Sequence, residues 1–379
     1  MKDIGLMGWN GNYNIGDDAM TSVIIRYLIE HKIGNRFHFY ADKSTLADYV
    51  DEDENIEIKG LPFYAFFHKI PYVRTLAAHH IFPHLFCNKK DILLIGGGSI
   101  IHRAKLSMLY IKIIKLVRQK NPKALIGAIG ISVGPFTTEQ DKMAAKLVLE
   151  NMDFCAVRDS RSYNLVKEMN LKNSLICAPD LALLLPQLSN ESFSKNGNFG
   201  NYIGMSLRSN YVNNEKIIWL SKLVQEILNR NPQYKLKLFN FCVLRGQSDM
   251  KDNTRLISSL PASFQKRIII VDYSKNPLEF YKEIFSCDIM LCMRLHAAII
   301  SYTVNTKFAI ISYHQKCIDF TEESGLPSEY ILNETIPLGQ TINTLQKLLD
   351  EKQTIFSKPR NEVIDKVRDH FSFIQYTNN

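Results

Sequence analysis

The chain has little of what marks secreted, metal-bound or membrane-spanning proteins. Its seven cysteines are an odd number and show no Cys-x-x-Cys spacing, so neither a disulfide framework nor a zinc site is indicated. No apolar run reaches the roughly 18 residues of a spanning helix, and the N-terminal residues lack the cationic and apolar regions of a signal peptide. We therefore expect a protein of the reducing cytosol without a membrane span.

Motifs for nucleotides and nucleic acids are missing as well. Gly96, Gly97 and Gly98 are followed by Ser99 without the Lys-Ser/Thr of a Walker A loop, and their spacing is not that of the Gly-x-Gly-x-x-Gly fingerprint. The formal net charge is +8, yet basic residues form no dominant run and no nucleic-acid-binding motif is present. A net positive charge without a basic run favours anionic small molecules or a membrane surface as partners. We expect no nucleic-acid partner.

What the chain does contain is an alternation of short apolar runs and amphipathic segments along almost its whole length. This alternation predicts strands joined by helices, and therefore parallel sheets covered on both faces. The predicted strands span residues 3–9, 36–41, 56–58, 91–95, 124–131, 153–157, 202–207, 235–241, 267–271, 288–293 and 307–312. The predicted helices span 17–31, 107–120, 139–151, 158–170, 215–230, 277–285 and 362–374, with others near 253, 296 and 316.

The alternation divides into two predicted domains. Ser, Asn and Gly dominate residues 187–200, where the apolar periodicity stops, so we predict a linker there between a domain at 1–186 and a second at 201–358. A C-terminal helix within 359–379 is expected to cross back onto the first domain. Two Rossmann-like, doubly wound α/β domains facing each other across a cleft form the GT-B type of fold, in which ligands bind at the carboxyl ends of the strands.

Two cationic residues follow the predicted strand at 288–293. Arg294 and His296 lie where that strand ends and a helix begins, which is the ligand-binding end of an open α/β sheet. A guanidinium beside an imidazole indicates an anionic substrate and an acid/base group. The alternative is a turn whose polar side chains are satisfied locally.

The loop after the first strand carries a second group of candidates. Its glycines allow close approach of the backbone to a ligand, and the helix that follows presents N–H groups. Asp17 and Asp18 would repel a phosphate there; a helix cap explains one of them, and the other can act on a sugar hydroxyl. We assign Asp17 to orienting or deprotonating an acceptor hydroxyl, and Asn14, Gly16 and Asp18 to substrate binding.

Two further strand ends carry candidates for anion binding. The consecutive N–H groups of Gly97, Gly98 and Ser99 can form an anion-binding nest, although such a run is often only a tight turn. Arg158 follows another predicted strand, where it can bind an anion. The alternative is a surface ion pair with Asp159 or Glu168.

Several short motifs run through the chain in order. The most specific is Met293-Arg294-Leu295-His296-Ala297-Ala298, followed by Ser312-Tyr313-x-x-Lys316. The others are Gly11-x-x-Asn14-x-Gly16-Asp17-Asp18-Ala19, Gly96-Gly97-Gly98-Ser99, Val133-Gly134-Pro135, Val157-Arg158-Asp159-x-x-Ser162 and Ala178-Pro179-Asp180. Taken together, they resemble the polysaccharide pyruvyl transferase family over nearly the whole chain.

This resemblance implies a GT-B-like fold and transfer of pyruvate from phosphoenolpyruvate to a sugar, usually as a cyclic ketal across two hydroxyls. It also implies that the donor-binding and catalytic positions are Arg158, His296 and Lys316. Phosphoenolpyruvate carries a phosphate and a carboxylate, so at least two fixed cations are needed, here Arg158 and Lys316 with Arg294 or Arg208 as a third. A histidine exchanges protons near neutral pH, which suits His296 to acid/base work.

We expect the first domain to bind the acceptor, a glycan or its lipid-linked precursor, and the second to bind the donor. No metal and no cofactor besides the donor substrate is expected. A nucleotide-sugar glycosyltransferase of the same fold is one alternative, but the helix after His296 offers no carboxylate for a ribose. A non-catalytic glycan-binding protein is a second alternative, which the joint presence of Arg158, His296 and Lys316 disfavours.

The segment 61–87 departs from the α/β pattern because it mixes aromatic residues with Lys, Arg and His. One interpretation is a membrane-interface segment that meets a lipid-linked acceptor at the inner face of the membrane. The interpretation that we favour is an excursion that packs on the first domain or forms a subunit contact. Its histidines fit no zinc spacing.

Overall fold

The computed structural model describes residues 2–50, 55–62, 80–194, 200–244, 246–312, 315–351 and 356–375. They form two compact units. Unit 1 contains the chain up to Asn12, Asp17–Ser189 and the chain from Lys366, and unit 2 contains Tyr13–Gly16 and Asn190–Asp365. The chain therefore leaves unit 1 within the predicted linker, and a short segment near the N-terminus belongs to unit 2, which the sequence did not suggest.

Unit 1 is built on seven parallel strands: β1 (Lys2–Met7), β2 (Gly34–Phe39), β3 (Glu57–Lys59), β4 (Ile92–Ile101), β5 (Leu125–Val133), β6 (Phe154–Val157) and β7 (Ser174–Cys177). Their order in the sheet is β3-β2-β1-β4-β5-β6-β7. The helices include α1 (Ile15–Glu30), α2 (Phe82–Phe86), α3 (Ala104–Lys120), α4 (Glu139–Glu150), α5 (Ser160–Glu168) and α6 (Leu185–Leu188), with 3-10 turns at Lys43–Thr45 and Leu181–Leu184. The apolar residues of the central strands are buried, as a sheet covered on both faces requires.

Unit 2 is built on six parallel strands: β8 (Tyr202–Ser206), β9 (Lys235–Phe239), β10 (Ile268–Val271), β11 (Ile289–Cys292), β12 (Lys307–Ile311) and β13 (Ile331–Leu332). Their order is β10-β9-β8-β11-β12-β13. The helices include α7 (Asn214–Arg230), α8 (Met250–Ser258), α9 (Ala262–Gln265), α10 (Pro277–Phe285), α11 (Leu295–Thr303), α12 (Gln315–Ser324), α13 (Leu338–Asp350) and α14 (Arg360–Lys366), with a 3-10 turn at Ser328–Tyr330.

In each sheet there is one point at which the direction of strand addition reverses. In unit 1 the chain proceeds outward from β1 to β3 and returns to β4 on the other side of β1; in unit 2 it proceeds from β8 to β10 and returns to β11. The predicted class of two Rossmann-like, doubly wound α/β domains is confirmed. The loops that follow two strands at a reversal diverge and leave a crevice for ligands. We therefore expect ligand-binding residues at the carboxyl ends of β1 and β4 in unit 1, and of β8 and β11 in unit 2.

The prediction that a strand ends at Ile95 is wrong. Strand β4 continues to Ile101, and Gly96 and Gly98 pair with Ile129 and Ile131 of β5. Glycine is uncommon in strands, which is why the predicted strand ended before the glycine run. The alternative of a tight turn is also wrong, because the run is part of the sheet ladder, and its role in anion binding stays a prediction.

The predictions also omit β7, β13 and α13. Strands β7 and β13 are short and lie at sheet edges, so they carry no long apolar run. Helix α13 buries Ile342, Leu345 and Leu348 on one face, a spacing that is present in the sequence.

The chain from Lys366 packs on unit 1. A 3-10 turn at Val367–Phe371 and helix α15 (Ser372–Gln375) replace the continuous helix predicted over 362–374, so that prediction needs correction. The ring of Phe371 stacks on Tyr27 of α1 with 3.7 Å between the ring centroids. Burial of such apolar side chains fixes the C-terminal segment to unit 1.

His370, in this C-terminal segment, predicts pH-dependent stability of unit 1. Its ring is fully buried, and Nε2 lies 2.8 Å from the carbonyl oxygen of Pro179. Burial lowers the pKa of His370 from 6.5 to about 4, because the charged imidazolium would lose its hydration. The stabilisation is therefore full above pH 6.5 and declines as the pH falls towards 4. The expected loss over that interval is about 3 kcal/mol of the free energy of unfolding.

Tryptophan fluorescence can measure this pH dependence in unit 1 alone. The chain has two tryptophans, Trp9 in unit 1 and Trp219 in unit 2, so a Trp219→Phe background reports on unit 1. Urea unfolding in that background should show a lower free energy at about pH 4.5 than at about pH 7. His370→Gln can place its amide N–H near the position of Nε2, keeps a donor for Pro179, and should remove most of the difference. An unchanged pH slope in His370→Gln would contradict the assignment.

The segment 61–87 is described only at its two ends, because residues 63–79 lie outside the described residues. At the far end, α2 buries Phe82 and Phe86 in the core of unit 1, and Phe86 meets Tyr40 edge to face. This end of the segment packs on its own unit, and a membrane contact stays a prediction. Among the described helices, none is both long and apolar enough to cross a membrane.

Candidate active site

The reversal point of unit 2 brings the ends of β8 and β11 together. The hydroxyl of Ser206, at the end of β8, accepts the backbone N–H groups of Met293 at 3.2 Å and Arg294 at 3.3 Å. The loop that leads into α11 is thereby fixed to the neighbouring strand. The half-buried Arg208 follows β8 directly, so it lies in the same part of the fold.

His296 is the second residue of α11 and is half-buried. Its ring lies against Gly16, because a Cβ built on Gly16 would overlap the imidazole at Nδ1 and Cγ. Gly16 stands in the first turn of α1 and belongs to unit 2 with Tyr13, Asn14 and Ile15. The contact joins a predicted candidate near the start of the chain to one in the second predicted domain.

The segment 13–16 is held in unit 2 by backbone hydrogen bonds. Asn14 forms an antiparallel bridge with Cys242, the N–H of Ile15 donates to the carbonyl of Phe241 at 3.0 Å, and the N–H of Val243 donates to the carbonyl of Tyr13 at 3.1 Å. The side-chain oxygen of Asn14 accepts the N–H of Gly16 at 3.3 Å. The Asn14 amide therefore shapes the loop that supports His296.

Gly16→Ala is expected to lower activity without removing any functional group. Alanine normally stabilises a helix relative to glycine by about 0.5–1 kcal/mol, but here its Cβ would push the His296 ring away from its position. We expect kcat to fall about tenfold or more, since small misplacements of a catalytic group are costly. Steady-state kinetics and thermal unfolding of Gly16→Ala measure both effects. Unchanged kcat would show that the position of the His296 ring is not critical.

Arg294 forms a buried ion pair with Asp249. Only 7% of the residue is exposed, and its Nη2 donates to Oδ1 of the fully buried Asp249 at 2.5 Å. Burial raises the pKa of the Asp249 carboxyl, and the Arg294 charge opposes that shift. The guanidinium of Arg294 ties α11 to Asp249. The assignment of Arg294 to substrate binding stays a prediction. The side chain of Lys316, in the first turn of α12, lies outside the described residues.

In unit 1, Arg158 is the centre of a buried polar cluster at the carboxyl ends of β4, β5 and β6. Only 6% of it is exposed. Its Nη1 donates to Oδ2 of Asp180 at 2.7 Å, its Nε donates to the hydroxyl of Ser132 at 2.8 Å, and its Nη2 lies 3.5 Å from the hydroxyl of Ser99. The expected alternative of a surface ion pair with Asp159 or Glu168 is wrong, because the partner is buried Asp180.

Asp17 and Asp18 lie in the first turn of α1, which begins at Ile15, so neither is the residue that caps the helix. Both are almost fully buried. Oδ1 of Asp17 lies 2.9 Å from where a Cβ on Gly98 would stand, so the carboxylate rests on the glycine run of β4. Gly97 and Gly98 have φ angles of +74° and +99°, which glycine adopts without strain.

Sequence reasoning missed Ser132, Asp180 and Asp249. Asp180 stands in one of the quoted motifs, Ala178-Pro179-Asp180, so its position carried a signal although no role was assigned. Ser132 and Asp249 carry no local signal, because their partners are distant in sequence. Within the ranges that the structure describes, no group of three or more His, Cys, Asp or Glu side chains is arranged to hold a metal ion.

The two doubly wound units define a protein of the GT-B type. A family model for polysaccharide pyruvyl transferase matches residues 14–315. This range covers most of the chain, including every candidate position except Lys316, and the chain belongs to the polysaccharide pyruvyl transferase family.

Solved structures resemble the chain over its whole length. The S. aureus MnaA protein in complex with UDP has a TM-score of 0.62 at 12% identity, covering 100% of this chain and 97% of that one. The Methanocaldococcus jannaschii UDP-GlcNAc 2-epimerase in complex with UDP-GlcNAc and UDP has a TM-score of 0.59 at 12% identity, covering 98% and 100%. The Neisseria meningitidis UDP-GlcNAc 2-epimerase bound to UDP-GlcNAc has a TM-score of 0.58 at 11% identity, covering 100% and 99%. At these identities the likeness shows the fold alone.

Proposed function

We propose that this protein transfers pyruvate from phosphoenolpyruvate to a sugar of a cell-surface glycan or its lipid-linked precursor, forming a ketal. The observation that carries the proposal is the position of His296. It follows β11 at the reversal point of unit 2, and its ring rests on Gly16 within the region that matches the family model. A proton-transferring group held at the ligand-binding edge of an α/β sheet is what this reaction needs.

The reaction consists of an addition followed by a displacement. A proton adds to the methylene carbon of phosphoenolpyruvate, and a sugar hydroxyl forms a bond to C2, giving its own proton to a base. A second hydroxyl then forms its bond to C2 while the bond from C2 to the phosphate oxygen breaks, and the proton of this hydroxyl passes to the departing phosphate. The products are the ketal and inorganic phosphate, so the donor is consumed as a substrate and no further reactant is needed.

His296 is proposed to deliver the proton to the methylene carbon or to the departing phosphate. Arg158 and Lys316 are proposed to hold the phosphate and carboxylate of the donor. Arg208, which is half-buried, is proposed as a third cation. Asp17 is proposed to orient or deprotonate an acceptor hydroxyl.

We assign the donor to unit 2, apart from the contribution of Arg158, and the acceptor to unit 1. In unit 1, the carboxylate of Asp17 and the hydroxyl of Ser99 offer hydrogen-bond partners for sugar hydroxyls beside Gly98. Asn14 and Gly16 are proposed to bind the donor directly or through the position of His296, and Asp18 and Gly97 to support the acceptor side.

Acceptor-dependent release of phosphate from phosphoenolpyruvate tests the proposal. Purified protein is incubated with phosphoenolpyruvate and a panel of sugar acceptors, and calorimetric titrations compare phosphoenolpyruvate with uridine and guanosine diphosphates. We expect phosphate release that requires an acceptor, and binding of phosphoenolpyruvate in preference to either nucleotide. Tight nucleotide binding with no response to phosphoenolpyruvate would instead identify a nucleotide-sugar glycosyltransferase.

A further inference from the structure

The carboxylate of Asp249 lies at the centre of a buried hydrogen-bond cluster in unit 2. Asp249 is 0% exposed and directly precedes α8, yet its side chain makes no capping hydrogen bond to that helix. Capping is the usual role of an aspartate at this position. The carboxylate therefore serves contacts outside its own helix.

Three loops donate hydrogen bonds to this one carboxylate. Oδ1 accepts Nη2 of Arg294 at 2.5 Å and the N–H of Ser209 at 3.4 Å, and Oδ2 accepts the N–H of Cys242 at 3.1 Å. The N–H of Asp249 in turn donates to the carbonyl of Cys242 at 2.9 Å. Ser209 follows β8, Cys242 follows β9 and Arg294 follows β11, and these strands are neighbours in the sheet.

Each of the three loops carries or contacts a candidate site residue. Ser209 is adjacent to Arg208 in the chain. Cys242 forms the bridge with Asn14, in the segment whose Gly16 supports the His296 ring. Arg294 precedes His296 by two residues in the loop into α11. Asp249 thus links the groups proposed to bind the donor and to transfer the proton, although it carries none of those functions itself.

We propose that Asp249 is the positioning residue of the unit 2 site, and that Arg294 acts on the reaction through Asp249 and not through contact with the substrate. The identity of the substrate rests on the proposed function, whereas the coupling of the three loops does not. A buried carboxylate that satisfies several donors at once makes their positions interdependent. Loss of its charge leaves Arg294 buried without its counter-ion and releases the three loops together.

The same helix provides a matched control. Asp252 is also buried, at 4% exposed, and its Oδ1 accepts Nη1 of Arg255 at 2.5 Å. Arg255 also donates to the carbonyl of Val212, which lies after segment 207–210 in the loop that follows β8, and to the side chain of Asn214, in α7. Asp252→Asn therefore removes a comparable ion pair from α8 without changing the Asp249 cluster.

Hydrogen–deuterium exchange measures the coupling directly in the full-length protein. In Asp249→Asn we expect the segments 13–16, 207–210, 241–243 and 293–296 to exchange about tenfold faster, the factor that corresponds to losing a hydrogen bond to a charged group. Asp252→Asn should leave these four segments at the wild-type rate. Unchanged exchange in Asp249→Asn, or the same increase in Asp252→Asn, would overturn the proposal.

A double-mutant comparison tests whether Arg294 works through Asp249. If it does, kcat/KM of Asp249→Asn combined with Arg294→Met equals that of the more impaired single variant; if Arg294 contacts the donor, the two losses multiply. Losses in kcat/KM that multiply would refute the indirect role.

If Asp249→Asn does not fold, Arg294→Lys provides a second test. Lysine keeps the positive charge but lacks the planar guanidinium, so the same four segments should exchange faster in this variant. The exchange measurement needs no substrate, so it tests the coupling of the three loops even if phosphoenolpyruvate is not the donor. A failure of this proposal can therefore be distinguished from a failure of the proposed function.

Discussion

Replacing His296 by alanine is expected to lower kcat for pyruvyl transfer by about two to four orders of magnitude, the usual contribution of a positioned acid or base. Binding of phosphoenolpyruvate should change little, because the cations assigned to the donor are unaffected. The substitution removes a half-buried ring that rests on Gly16, so the fold should tolerate it. Calorimetric titration with phosphoenolpyruvate and steady-state phosphate release measure the two quantities separately.

The pH profile distinguishes proton transfer from a purely steric role of His296. The wild-type profile of kcat should contain a limb that is absent from the residual activity of His296→Ala. His296→Gln, which keeps a hydrogen-bonding group but cannot exchange a proton near neutrality, should be as impaired as alanine. His84→Ala, at an exposed histidine of α2, is the control and should behave as wild type. Full activity in His296→Gln would exclude acid/base catalysis by this residue.

Replacing Arg158 by methionine is expected to affect both stability and catalysis. The substitution leaves the Asp180 carboxylate buried without its counter-ion, and breaking such a pair typically costs about 3–5 kcal/mol. It also removes the guanidinium that we assign to donor binding, so kcat/KM for phosphoenolpyruvate should fall by about two orders of magnitude. Urea unfolding followed through Trp9 in a Trp219→Phe background measures the first effect.

The second-site change Asp180→Asn separates the two effects. Asparagine removes the unpaired charge but keeps an oxygen for the N–H of Ala182, which Asp180 accepts at 2.9 Å. The double variant Arg158→Met/Asp180→Asn should recover most of the lost stability. Its kcat/KM should stay low. Recovery of activity together with stability would mean that Arg158 only supports the fold.

Much of the fold could be predicted from the sequence because the buried parallel strands are continuous apolar runs. The predicted ranges for the strands at β8, β9 and β11 and the helix at Pro277–Phe285 agree with the structure within a few residues. The errors fall where composition and context disagree. The glycine run of β4 has low strand propensity, yet pairing with β5 holds it in the sheet.

The candidate residues could be found at strand ends, but their partners could not. The pairing of Arg158 with Asp180, and that of Arg294 with Asp249, joins residues brought together by the sheet order, and no local pattern encodes them. Gly16 was assigned to substrate binding because glycine permits close approach of a ligand. In the structure, what approaches Gly16 is the ring of His296, a contact that depends on segment 13–16 belonging to unit 2.

Isotope transfer from phosphoenolpyruvate to a sugar distinguishes pyruvyl transfer from sugar transfer. The protein is incubated in deuterated water with carbon-13-labelled phosphoenolpyruvate and an extract of the host's lipid-linked sugars, and the sugars are analysed by mass spectrometry. We expect a sugar that gains the labelled pyruvyl group, with deuterium in its methyl group because the methylene carbon takes up a proton from the solvent. His296→Ala should reduce this product in proportion to its loss of kcat. If the sugars gain no label from phosphoenolpyruvate but accept a sugar from a nucleotide sugar, the protein is a glycosyltransferase and the proposed pyruvyl transfer is wrong.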